Sequence, residues 1–351
     1  ILFGLAHSVA WAILARVLVG LGVSMFFVPT MKILTKWFRV REFAFMTGIL
    51  MAFGGLGALC AAAPLACMSA LLGWRGSFIA IGIGTALLSL LIWLFVRNSP
   101  EDMGLPAIVE PGSIDAKDEE PIPLWNGVKR VLGSARFWPL AVWFFLNIGI
   151  YFSFAGLWGG PYLMEVYGMS KTKAGDVLST IHIAIIIGGP LLSYLSDRVF
   201  HSRKKILVAS SIIMLILTIP LAFFPGKLNL PLLYIWSFCF GIFGNAVVVV
   251  AFTTTKELFP VRIAGTAVGL VNLFPFLGPA ILQPLLGAIL EAHGKGPAGY
   301  APDAYGAAFT LYFFLALISL TAAFFVKETF VYVPKRLDAP VDGPKENENR
   351  K

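Results

Sequence analysis

The chain has 351 residues, of which 58% are hydrophobic and 13% charged, with a mean hydropathy of +0.82. A soluble domain carries about 25% charged residues and hides its apolar surface in one or two cores, so this composition excludes an ordinary soluble enzyme and calls for a bilayer as solvent. The formal charge of +8 would suit nucleic acid only if Lys and Arg clustered on a soluble face, and they lie between apolar runs instead.

The opening Ile1, Leu2, Phe3, Gly4, Leu5 and Ala6 read as the tail of an apolar segment, a stub whose start is expected upstream of Ile1. A span needs about 20 mostly apolar residues to cross roughly 30 Å of hydrocarbon. Nine complete candidates follow the stub: residues 11–34, 43–72, 77–96, 137–163, 174–195, 206–224, 230–254, 263–289 and 305–326. The second and fourth are long enough to tilt or to contain a break. Of the 27 Lys and Arg, twenty fall in one set of loops and the tail, including Lys36, Arg97, Lys129, Arg136, Lys204 and Lys256. Only Arg75, Lys171, Lys173, Lys227 and Lys295 fall on the opposite side, while Arg16 and Lys32 lie within the first span. Because cytoplasmic loops retain Lys and Arg, this asymmetry predicts a cytoplasmic C-terminus and a stub on the outside.

The spacing divides the chain into a first helical set (1–97), a cytoplasmic linker (98–136), a six-helix set (137–326) and a polar, disordered tail (327–351). The linker runs through an acidic stretch at 115–120 that is too polar to pack a core. Near its end Trp125, Val128 and Leu132 share one helical face, with Lys129, Arg130 and Arg136 elsewhere, the pattern of an interfacial helix on the inner leaflet. An extended basic linker is the alternative. Cys60, Cys67 and Cys239 each sit inside an apolar run as small hydrophobes, so neither a disulfide nor a metal or other cofactor is expected.

Between the second and third helices of the six-helix set, Ser193 to Lys205 is similar to the loop signature Gly-x-x-x-Asp-Arg followed by a basic cluster. Asp197 and Arg198 match it, Ser193 stands where the Gly belongs, and two extra residues precede Arg203, Lys204 and Lys205. Arg16, Gly20 and Gly22 in the first complete span are similar to the Arg-x-x-x-Gly-x-Gly of a fourth helix. Trp74-Arg75 and the exit Asn98-Ser99-Pro100-Glu101 fit the same pattern. With these features the chain resembles the major facilitator superfamily. The resemblance implies an all-α, polytopic membrane bundle of twelve helices, here represented by nine complete helices and a stub of a tenth. It also implies a secondary active carrier working by alternating access, monomeric and in a bacterial plasma membrane. Its solute would be small and polar, and a coupling proton or ion would drive it. Pro100-Glu101-Asp102 and the pair Asn272 and Gln283 resemble the carriers of organic anions and sugar acids within that family. A drug or metabolite efflux antiporter, or a sensor or scramblase built on a carrier fold, is the alternative. Scattered His and isolated Cys provide no catalytic cluster for an enzyme.

An ionisable group inside a span is costly and points to function. Arg16 is the foremost, as an anion site or an influence on a coupling acid, with snorkelling outward as the structural alternative. His182 lies mid-span and could titrate near neutral pH, or simply pack. Lys32 is expected to snorkel, and no Asp or Glu lies deep in a complete span. Asn147, Tyr151, Phe154 and Trp158 recur on one helical face, and Gly159-Gly160-Pro161 is expected to break that helix into a gating bend. Gly265, Gly269, Asn272, Phe276, Pro279, Gln283 and Gly287 share a stripe, whose glycines suit close packing. Asn272, Gln283 and Asn245 could face a solute cavity, since amides in hydrocarbon need partners. Asp197 and Arg198, with Arg203 and Lys204, form a candidate gating loop. There the first two would bond a neighbouring helix end in one conformational state.

Overall fold

The computed structural model describes residues 1–24, 26–38, 46, 49–50, 53–57, 60–61, 63–106, 123–297 and 299–330. Among them the regular structure is helical: α1 (Val9–Ser24), α2 (Phe27–Trp37), α3 (Ala63–Phe95), α4 (Leu124–Leu132), α5 (Phe137–Tyr167), α6 (Lys171–Val199), α7 (Arg203–Phe223), α8 (Leu230–Leu258), α9 (Ile263–Ala292) and α10 (Pro302–Phe325). Seven of these, α3 from Cys67 onward and α5 to α10, are long and apolar enough to cross a membrane. The chain is an all-α, multi-pass integral membrane protein. Residues 11–34, expected as one span, are divided between α1 and α2. Residues 43–72 fall partly outside the described residues, as do the acidic stretch at 115–120 and the tail from 331 onward. The boundary expected between residues 72 and 77 is a break inside α3 at Gly73, whose φ of 69° and ψ of 168° suit a residue with no Cβ.

Helices α5 to α10 run alternately up and down, and two clusters of buried side chains mark the ends of this set. One joins Phe137 and Leu140 of α5 to Leu207, Ala251, Ile263 and Ala323. The other joins Tyr162 and Leu163 of α5 to Val177, Leu221, Leu233, Leu290 and Tyr305. The most extensive pairing is α7 along α10. Polar tips inside the set find partners, as buried groups in hydrocarbon must: Trp143 Nε1 donates to Ser211 Oγ (2.8 Å) and the Tyr312 hydroxyl to Ser153 Oγ (2.9 Å).

Three spans depart from α-helical winding in wider, π-helical turns: Phe144–Ile148 and Phe154–Trp158 in α5, Leu195–Val199 at the end of α6, and Ile242–Ala246 in α8. The break expected at Gly159-Gly160-Pro161 is therefore corrected: helix resumes at Gly159, and the irregular turn precedes it. The reason lies in Pro161, whose ring collides with the carbonyl four residues back, at Leu157. The wider turn spanning Leu157 relieves that contact without ending the helix. Along the seam between α5 and α9, a Cβ on Gly278 would collide with Phe145 O and lie 2.8 Å from Gly149 Cα.

Gly278→Val should therefore separate α5 from α9 and destabilise the detergent-purified protein by roughly 2–3 kcal/mol. Gly84→Ala, which meets open space on α3, should leave thermal unfolding unchanged; equal melting temperatures for the two variants would refute the close seam.

Candidate functional site

Five of the expected polar residues, Asn147, Tyr151, Trp158, Asn245 and Gln283, lie on α5, α8 and α9, where the wide turns release backbone carbonyls. Asn147, 1% exposed, donates through Nδ2 to Phe243 O (3.3 Å) and Gly244 O (3.2 Å) in the wide turn of α8. Its Oδ1 is buried and has no hydrogen-bond partner among the described residues. Tyr151, one turn on, is buried against Gly244 and stacks on Phe240 with ring centres 5.9 Å apart. Trp158 Nε1 donates to Gln283 O (3.0 Å), and Gln283 Nε2 donates to Phe152 O (3.1 Å). Gly287 leaves room for the Trp158 ring, and Phe152 stacks on Phe276 at 5.9 Å. Asn245 is half-buried within the same α8 turn. These amides and the indole thus satisfy main-chain carbonyls across helices, a role that a wide turn requires in hydrocarbon.

Other expected residues stand apart from this group. Asn272 is exposed on α9, and Gly265 and Gly269 meet open space rather than a neighbouring helix. His182 is half-buried on α6, with Nδ1 3.2 Å from Leu178 O. That bond places the proton on Nδ1 and leaves Nε2 as the acceptor. Arg16 is exposed on α1, its guanidinium carbon 4.2 Å from the Phe3 ring centre and 5.1 Å from that of Phe78.

A second cluster forms at the end of the helical set where α6 meets α7. Arg203, 8% exposed, is its hub. It pairs with Asp197, donates to Ser196 Oγ (2.9 Å), and reaches Glu257 at the end of α8 through Nη2 (3.1 Å). Glu328, just past α10, accepts the Ser202 hydroxyl and the backbone N–H groups of Arg203 (2.9 Å) and Lys204 (3.3 Å). Ser202 caps α7 by accepting from Lys205 N (3.1 Å), so a carboxylate and a hydroxyl together satisfy the first donors of that helix. Thr329 Oγ1 closes the ring to Glu257 (2.7 Å). Asp197, in the wide turn that ends α6, pairs with Arg203 at the start of α7, and Arg198 is exposed. Lys204 takes part through its backbone N–H, so the charged centre is Arg203.

Glu257 and Glu328 were not among the expected residues, although the sequence carries a signal for both. Each closes an apolar helix in the same pattern: Lys256-Glu257-Leu258-Phe259 at the end of α8 and Lys327-Glu328-Thr329-Phe330 just past α10. An acid placed between a Lys and a Phe where the basic loops begin has an obvious cation to serve.

Burial works to raise the Glu328 pKa, but hydrogen bonds from Ser202 and from the Phe330, Arg203 and Thr329 backbones hold it below its ordinary value of 4.5. A carboxyl depressed in the folded state contributes stability that is fully present above about pH 4.5 and fades as pH falls through the folded value. Glu328→Gln should therefore lower the melting temperature at pH 7, and the gap from wild type should narrow below pH 4.5. A gap of constant size from pH 7 to pH 3.5 would show that the carboxylate is not the stabilising species.

The Major Facilitator Superfamily model matches the chain over residues 1–174 and 157–347. The chain is 24% identical over 296 residues to the probable galactarate/D-glucarate transporter GudP of Escherichia coli strain K12, across 80% of this chain and 65% of that protein. It is 28% identical over 232 residues to the glycerol-3-phosphate transporter of Bacillus subtilis strain 168, across 62% of this chain and 50% of that one. The chain therefore matches about half to two thirds of the length of these relatives. A bacterial homologue of the human lysosomal transporter Spinster, inward-facing and unoccupied, shares the fold with a TM-score of 0.60. The match covers 92% of this chain and 77% of that one at 18% identity. With a helical bundle of this architecture and family matches that together run from residue 1 to residue 347, the chain belongs to the Major Facilitator Superfamily.

Proposed function

We propose that the protein is a secondary active transporter of a small organic anion, working by alternating access in a bacterial plasma membrane with its C-terminus in the cytoplasm. The observation that carries the anion reading is the state of Arg16. Phe3 and Phe78 hold its guanidinium by cation–π contact, which fixes the side chain without neutralising it. The ion pairs among the described residues both use Arg203, so no carboxylate there competes for Arg16. A planar guanidinium of this kind suits bidentate binding of a carboxylate or phosphate. The names of the relatives, transporters of galactarate/D-glucarate and of glycerol 3-phosphate, support the same class of solute.

Asn147 Oδ1, buried and without a partner in this conformation, is the acceptor that a movement of α5 against α8 would offer to a solute hydroxyl. Trp158 and Gln283 position the α5–α9 wall beside it. His182, with Nε2 as an acceptor, is the candidate for a coupling proton. The protein is proposed to work as a monomer, since alternating access needs one central pathway.

The test is uptake of labelled sugar acids and other carboxylates into proteoliposomes, with and without a pH gradient. Saturable uptake should fall at least tenfold in Arg16→Ala and persist in Lys227→Ala, whose lysine lies in the loop before α8. Absence of flux for every anion tried, under either gradient, would remove the anion reading.

A further inference from the structure

At the end of the helical set that carries Arg203, an apolar groove of about 360 Å³ opens between the start of α5 and the end of α10. Its walls are Ala135, Trp138, Pro139, Val142, Ala322 and Phe325. Ala322 supplies the gap, because its small side chain stands between the larger flanks. Phe325 is 72% exposed and Trp138 46%, so the groove opens outward rather than into the packed interior. The Trp138 indole N–H donates to Leu132 O at 3.0 Å. That bond turns the polar edge of the ring toward the α4–α5 corner and leaves its apolar face to the groove, the posture of an interfacial tryptophan.

Four cations flank the groove. Arg136 adjoins Ala135, Lys327 lies two residues beyond Phe325, and α4 brings Lys129 and Arg130 to the same corner; all four are exposed. Residues 123–143 and 316–327 contain no Asp or Glu, and Glu328, which follows Lys327, is engaged by Ser202 and the first N–H groups of α7. Among the described residues these cations make no ion pair, since both pairs belong to Arg203. An apolar slot of this size beside uncompensated cations, at the level where hydrocarbon gives way to water, matches a lipid with an anionic head group.

We infer that this groove is a binding site for an anionic phospholipid, with an acyl chain between Trp138 and Phe325 and the phosphate at Arg136 and Lys327. The inference is independent of the solute carried, because Asn147, Gln283 and Arg16 are not among the residues that line the groove. A neutral lipid would fill the slot without using the charges, and a second copy of the chain would bring the same basic corner against itself.

The experiment is native mass spectrometry of the purified protein in neutral detergent, titrated separately with phosphatidylglycerol and phosphatidylcholine. Phosphatidylglycerol should be retained with an apparent Kd at least tenfold lower than phosphatidylcholine. The double variant Arg136→Gln, Lys327→Gln should lose that preference, since each cation near the head group contributes roughly a factor of several. Ala135→Trp, at an exposed position, should fill the slot and weaken both lipids. Equal affinity for the two lipids, a preference that survives the double variant, or a dimer that displaces lipid would each overturn the assignment; the last would give the groove to a second copy.

Discussion

Hydrocarbon offers no hydrogen bonds, so each main-chain carbonyl released inside a span must find a donor within the protein. This requirement organises the centre of α5 to α10. The wide turns of α5 and α8 release carbonyls at the level where those helices cross, and Asn147 donates to two of them on α8. Gln283 supplies a donor to Phe152 O, and its own carbonyl takes the Trp158 indole. Asn147, Trp158 and Gln283, which stand out in the sequence, are therefore already engaged in holding irregular helices together. Left over from that accounting is Asn147 Oδ1, itself buried. A wide turn is also a place where a helix can change its winding at small cost, so support and movement meet in the same residues.

The charged end obeys a related rule. A guanidinium at 8% exposure is costly unless paired, and Arg203 is paired on two sides, by Asp197 in its loop and Glu257 at the end of α8. Glu328 adds the segment after α10 by capping α7. The network thus joins the α6–α7 loop, the end of α8 and the exit of α10, all within one helical set. Its direct effect is to make that end of the set stiff. Any bias it exerts on opening acts through the position of the whole set.

Much of the fold is legible in the sequence because span length and apolar composition are imposed by bilayer thickness rather than by partner choice. The spans expected at 206–224 and 305–326 fall on α7 and α10 within a few residues, and the break after residue 72 is carried by Gly73. The site is less legible, for a physical reason. Periodicity places Asn147, Tyr151 and Trp158 on one face, but it cannot tell whether an amide there meets solute or another helix's carbonyl. Only the neighbouring winding decides that, and π-helical turns have no sharp local signature. The displaced break at Pro161 shows the same limit: proline announces strain, while the helix chooses where to absorb it. Gly278, which sits closest to α5, escaped the α9 stripe because close approach depends on crossing position and not on spacing along one helix.

Charge then divides the work between the two parts of the chain. In α5 to α10 the buried Arg203 has its acids, and Asn147 and Gln283 donate to main-chain carbonyls, with Asn147 Oδ1 among the groups left over. Arg16 lies outside that set, on α1, and its positive charge is held, among the described residues, by the Phe3 and Phe78 rings. Under the proposed function, attraction of an anion comes from α1 and discrimination among anions comes from the α5–α9 wall. That arrangement suits alternating access. A solute that bridges a cation on one side and an acceptor on the other draws the two sides together only when both contacts are made, so a bare ion without hydroxyls would bind Arg16 yet gain little from closure.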